Sequence, residues 1–176
     1  DLDFGLSHFY GTSRDPVFIS GMDSGGNAVL IPFYKIINQT GLDIQATKGN
    51  WLWKLETIHR SDNSPSYTGV TGGLEYTFYG LSGSDTDLGI VAEYLYDDRD
   101  KLATTPFQDD FRLGMRFNFN DVQSTDALIG AIIDLDSDTQ IISIEASRRL
   151  GDQWKLNLEA RGYSSIPSSD PLFVFR

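Results

Sequence analysis

Residues Phe111 to Asn120, FRLGMRFNFN, alternate strictly: Phe111, Leu113, Met115, Phe117 and Phe119 fall on one side of an extended chain, and Arg112, Gly114, Arg116 and Asn118 on the other. Period-two alternation defines a β-strand with one apolar and one polar face. The pattern recurs about nine times. The first expected strand is Asp1 to Tyr10, with Leu2, Phe4 and Leu6 against Asp3, Gly5 and Ser7. Residues 11–27 carry Gly, Ser, Asp and Pro and read as a long loop. Ala28 to Ile31 is apolar on both sides and is interrupted by Pro32, so both strand and loop fit it. Alternation returns between Phe33 and Thr47, and Lys48-Gly49-Asn50 is a tight turn. Further strands are expected over Trp51–Arg60, Tyr67–Gly80 and Asp87–Tyr96 before the Phe-rich stretch. After it come Thr125–Leu135, Thr139–Leu150 and Trp154–Tyr163. The segment 125–135 is apolar on both faces, and its sides stay open.

Connections alternate as well. Those near residues 49, 83, 122 and 151 are short, and those near 19, 103 and 168 are long, with 63 and 136 in between. Strands of about 10 to 12 residues, tilted about 45°, cover roughly 25 Å, the height of the apolar band of a transmembrane β-barrel. Strands of soluble domains are about half that long. The expected architecture is therefore all-β: an antiparallel up-and-down transmembrane β-barrel forming a single domain over residues 1–176. The chain stops as a new apolar run, Leu172 to Phe175, begins. The expectation is a partial chain that lacks its final strand, drawn from an even-stranded barrel of at least ten strands.

Composition narrows the function. The formal charge is −11 at pH 7, which argues against nucleic acid as a partner. The chain contains no Cys, which removes thiol nucleophiles, thiolate metal sites and disulfides. It has no apolar run long enough for a membrane-spanning helix. Charges sit on the polar sides of the strands: Lys54, Glu56, Glu75, Glu93, Arg112, Arg116, Glu145, Lys155, Glu159 and Arg161. In a barrel these face the lumen. There they either set a field that selects solutes or join in cross-strand salt bridges that fill a narrow interior. Aromatics near strand ends, Trp51, Trp53, Tyr76, Phe78, Tyr94, Tyr96, Phe117, Phe119 and Trp154, suit the two lipid–water interfaces.

Stretches such as GGLEYTFYG, GIVAEYLYDD, FRLGMRFNF and QWKLNLEARGY resemble the C-terminal part of porin-like outer-membrane β-barrels of Gram-negative bacteria. The resemblance is one of strand and turn style and carries no diagnostic motif. It implies a place in the bacterial outer membrane and passage of small hydrophilic solutes. It also implies lipid and lipopolysaccharide as surroundings. The chief alternative is a narrow or plugged barrel that serves as a scaffold for other subunits of a membrane complex. A third is a soluble β-sandwich or ligand-binding barrel with the Phe and Leu faces inside.

Catalysis is not expected. His8 and His59 are the only histidines, and Ser7 and His8, as strand neighbours, point to opposite faces. The acidic segments Asp97–Asp100, Asp109-Asp110 and Asp134/Asp136/Asp138 read as solvated loop charge. DLDSD lacks the Gly and distant Glu of a calcium loop. The glycine pairs Gly25-Gly26 and Gly72-Gly73 read as turns and close strand contacts, not phosphate loops. No metal or cofactor is called for.

Overall fold

The computed structural model describes residues 1–62, 65–103, 105–168 and 171–175, with the backbone alone at Lys101, Pro171 and Phe175. The strands are β1 (Leu2–Thr12), β2 (Val17–Met22), β3 (Ala28–Phe33), β4 (Ile36–Lys48), β5 (Trp51–Ser61) and β6 (Tyr67–Phe78). Then follow β7 (Asp87–Asp97), β8 (Asp109–Asn118), β9 (Asp126–Asp134), β10 (Gln140–Leu150) and β11 (Trp154–Ser164). Nine of them form one sheet in the order β1-β4-β5-β6-β7-β8-β9-β10-β11, and β2 and β3 form a second, two-stranded sheet. Every pairing is antiparallel between successive strands of the large sheet. The all-β, up-and-down, antiparallel expectation holds. The sheet is open among the described residues: β1 and β11 are its free edges. Both run in the same direction, because an even number of reversals separates them.

Three expectations are corrected. The 11–27 segment is not a plain loop, because Val17–Met22 pairs with Ala28–Phe33 as a hairpin around the polar turn Asp23 to Asn27. The apolar residues Phe18 and Ile19 outweigh the flanking Pro and Gly there. Pro32 is tolerated because alternate N–H groups of a two-stranded sheet point to an open edge. The second strand of the large sheet begins at Ile36, after the break at Tyr34-Lys35. Pro171–Phe175 is a short 3₁₀ helix and not the opening of a strand.

Register settles the faces. Phe111, Leu113, Met115 and Phe117 stand beside Ile133, Ala131, Ile129 and Ala127 on β9. The sides of β9 are thereby fixed, with Ile129 on the apolar face and Leu128, Gly130 and Ile132 on the polar one. On the other flank, Leu88, Ile90, Ala92 and Tyr94 of β7 continue the apolar face. It runs unbroken from Leu2, Phe4 and Leu6 on β1 to Leu156 and Leu158 on β11.

That face is not covered. Phe4 is 77% exposed, Leu113 52% and Leu158 57%. Among the described residues only Ile37, Val91 and Ile166 are buried hydrophobics. The accessible surface is 12367 Å², where a folded soluble monomer of 19.6 kDa exposes about 8,600 Å². A sheet with no second layer of its own accounts for the excess.

The connections sort by end. Lys48 faces Trp51 across Gly49-Asn50, with Gly49 at φ 59, the left-handed conformation such two-residue turns require. This turn and the connections 79–86, 119–125 and 151–153 lie at one end of the sheet. The β2–β3 hairpin and residues 62, 65–66, 98–103, 105–108 and 135–139 lie at the other, hereafter the loop end.

Glycines let strands and side chains approach closely. A Cβ on Gly73 would lie 2.8 Å from the Ala92 carbonyl oxygen and 2.7 Å from Glu93 Cγ. At Gly162 nothing lies within 4 Å. Gly73→Ala is expected to destabilise the folded sheet by about 1–3 kcal/mol, and Gly162→Ala by much less. Urea unfolding of the two variants under the same conditions reads the difference.

Candidate functional site

The register brings all ten charged residues singled out from the sequence to one face. Gln45, Lys54, Gly73, Glu93, Arg112 and Ile132 form one cross-strand row. A second row passes through Leu52, Glu75, Val91, Gly114, Gly130, Ser143 and Arg161. Arg116, Leu128, Glu145 and Glu159 lie in a third. Asp43, Glu56, Thr71, Leu95, Asp110 and Asp134 lie in a fourth, nearer the loop end. Lys155 faces Arg149 near the short-turn end.

Most of these charges meet an opposite one. Arg112 Nη1 donates to Glu93 Oε2 at 3.1 Å across β7 and β8. Arg116 reaches Glu75 at 3.5 Å, although β7 lies between their strands. The residue of β7 beside Arg116 is Gly89, and a Cβ there would sit 2.5 Å from Glu75 Oε1. Glycine is therefore what lets this pair close over the backbone of β7. Arg161 is 3.8 Å from Glu145 and also pairs with Glu159 on its own strand. Among the described residues Lys54, Glu56 and Lys155 make no ion pair.

Hollows on this face include one of about 300 Å³ under the 105–107 segment, bordered by Asp43, Glu56, Thr71, Asp97 and Phe107, and one of about 160 Å³ among Asp3, Asp43, Gln45 and Lys54. A smaller one of about 80 Å³ lies among Lys54, Glu75, Glu93 and Arg116. The loop that overhangs the first of these is anchored by Arg99. Its Nε donates to Asp97 Oδ1 at 2.8 Å, and its guanidinium stacks 3.6 Å from the Tyr67 ring. Sequence reading missed this anchor, because Tyr67 and Arg99 sit on different elements. Asp110, beside Leu95 and Asp134 in the register, is 2% exposed, and its Oδ2 has no hydrogen-bond partner among the described residues.

The aromatics gather at the borders of the opposite face. Trp51 stacks on Trp53 at 5.8 Å, Tyr76 meets Trp51 edge-on at 4.7 Å, and Phe78 meets Tyr76 at 4.8 Å. Phe117 and Phe119 stack at 6.5 Å, and Trp154 starts β11 at the same short-turn end. Tyr94 and Tyr96 stack at 6.5 Å at the loop end, where the Tyr94 hydroxyl donates to Asp109. Both histidines also stand on this face. The row His8, Thr40, His59, Thr68 crosses four strands, and each imidazole Nδ1 lies 3.1 Å from a threonine hydroxyl. The row forms a polar border to the apolar face.

Among the described residues no three His, Asp or Glu side chains gather as metal ligands. Asp97, Asp110 and Asp134 are buried and not solvated loop charge as expected; Asp134 caps the chain reversal, its Oδ1 accepting from the N–H groups of Asp136 and Ser137 and its Oδ2 from the Ser137 hydroxyl. What the polar face can do chemically is hold solutes or water against a set of fixed, mostly paired charges. No family model, characterised protein or solved structure matches the chain.

Asp121, in the 119–125 turn, accepts hydrogen bonds from the Thr125 N–H and hydroxyl at 2.7 Å each and lies 3.7 Å from Arg148. These bonds, the backbone one first, hold its carboxyl below the ordinary value of 3.8. A depressed carboxylate stabilises the fold above its unfolded pKa, and that contribution fades as the pH falls through the lower folded value. Asp121→Asn is expected to flatten the loss of stability below about pH 4, read as the unfolding midpoint against pH.

Proposed function

We propose that the nine-stranded sheet is the wall of a β-barrel in a bacterial outer membrane, with lipid and lipopolysaccharide against its apolar face and a lumen at its charged face. The observation that carries this reading is the apolar face itself, continuous over nine strands and exposed. In water such a surface is unfavourable by about 25 cal/mol per Å². In a bilayer it is matched. Strands of 9 to 13 residues span the apolar core when tilted. The aromatic clusters fall at both ends of those strands, where interfacial girdles belong. The charged face suits a wet interior. The working function is passive, porin-like passage of small hydrophilic solutes.

A second reading is favoured by the ion pairs. Glu93–Arg112, Glu75–Arg116 and Glu145–Arg161 cross-link the face. A narrow barrel filled by its own salt bridges would act as a scaffold for other membrane-complex subunits.

Met115→Arg is expected to cost about 2–4 kcal/mol in lipid if residue 115 lies near the bilayer midplane. An unfolding midpoint in vesicles equal to that of the parent would sink the assigned sidedness. Single-channel recording in a planar bilayer separates the two readings. Stable steps are expected, with a reversal potential that moves toward cation selectivity in the Arg112→Glu, Arg116→Glu double variant. Silence from folded, inserted protein would instead favour the scaffold. Protein that remains in the aqueous phase without detergent would overturn both.

A further inference from the structure

We propose that the hollow under the 105–107 segment binds the primary ammonium group of a small organic cation that carries an apolar body. Such a cation is a solute class for the channel reading, on which the inference rests for the route by which the solute arrives.

Glu75, Glu93, Glu145 and Glu159 of the polar face each meet an arginine, and Asp97 meets Arg99. Asp43 and Glu56 meet no cation among the described residues, and both border the hollow. They stand directly opposite each other on β4 and β5. Like charges so placed destabilise a sheet, and a cation held between them relieves the opposition. Lys54, on the same strand as Glu56, borders the adjoining hollow of about 160 Å³ and makes no ion pair with either. Among the described residues no lysine or arginine borders the larger hollow. Arg99 fixes the overhanging segment through Asp97 and Tyr67 without entering that wall.

The chemistry of the row selects the ligand. Thr71 on β6 follows Glu56 and also borders the hollow. A primary ammonium carries three N–H donors. The row offers it two carboxylates and a hydroxyl on successive strands, about 4.8 Å apart. Past Thr71 the wall turns apolar, with Leu95 next in the row and Ile58 and Phe107 also in the wall. A polar end that takes an ammonium and an apolar end that takes hydrocarbon define an amphipathic cation. The volume of about 300 Å³ is at the small end of ligand sites, which limits the body to about one ring or a short chain.

Asp110 is an independent sign of a missing donor in the same row. It follows Leu95 on β8, and its side chain leaves the backbone on the hollow's side of the sheet. It is 2% exposed, and its Oδ2 has no hydrogen-bond partner among the described residues. A buried oxygen of that kind is open to a donor from outside the chain.

The test uses the whole chain, folded in micelles or nanodiscs, with benzylammonium as the probe. The dissociation constant is read from the amide shifts of Thr71, Leu95 and Phe107. Saturable binding is expected. Benzyl alcohol, which lacks the charge, is expected to bind about tenfold or more weakly. Methylammonium, which lacks the apolar body, is expected to do so as well, by about tenfold. Asp43→Asn and Glu56→Gln are each expected to weaken benzylammonium binding about tenfold. Their far-ultraviolet spectra should match the parent's, since each relieves a like-charge opposition. Asp85→Asn removes the same charge in the 79–86 connection, at the opposite end of the sheet, and is expected to leave binding unchanged. Absence of saturable binding overturns the proposal. So does a neutral alcohol that binds as tightly as the amine, or a loss in Asp85→Asn equal to that in the hollow, which would reduce the effect to net charge. The ligand series needs no variant and decides even where a substitution disturbs folding. Silence in the planar bilayer would count against the channel reading and leave this titration as it is, so the two failures are separate.

Discussion

The structure depends on one geometric constraint: a strand's side chains alternate, so a slip of one residue exchanges its two faces. Nine strands hold their registers such that all ten mid-strand charges stay on one side, and Lys48 and Arg148 fall on the other only near the short-turn end. No second layer enforces this. An ordinary two-layer protein fixes register by burying one face against another layer. Here the enforcement must come from the medium on the apolar side and from charge pairing on the other.

The charged face supplies part of that enforcement within the chain. An exposed pair is worth only about 0–1 kcal/mol, so the pairs add little to stability individually. Their value lies in selecting register. Sliding β8 by two residues against β7 keeps the faces intact but parts Arg112 from Glu93. It also moves Arg116 away from Gly89, the one residue of β7 over which it reaches Glu75. The bare backbone at Gly89 and the long side chains either side of it form a single device.

The large sheet was legible in the sequence because its strands are long and amphipathic. Where alternation was clear, as over Phe111 to Asn120, both the strand and its sidedness could be read. Residues 125–135 are apolar on both sides, and only the partners of β9 showed that Leu128 and Ile132 share the face of the charges. The hairpin was hidden for a related reason, since Val17–Met22 lies among turn formers and its two faces carry no contrast. The ten charged residues were legible as a set. Their pairing was not, because Glu75 and Arg116 meet across an intervening strand, and sequence spacing carries no information about that distance. The Arg99 anchor on Tyr67 was invisible for the same cause.

The glycine at position 89 has a bearing on how such a chain can change over generations. On the proposed reading the apolar face meets fluid hydrocarbon, which has no fixed shape, so there Leu, Ile, Val and Phe would be nearly interchangeable and that face free to drift in sequence while it keeps its character. The opposite face has no such latitude: a methyl group added at Gly89 disturbs a glutamate, and with it an arginine two strands away. Related chains would therefore diverge first where this one is greasiest, and agree longest at small residues beneath its charges.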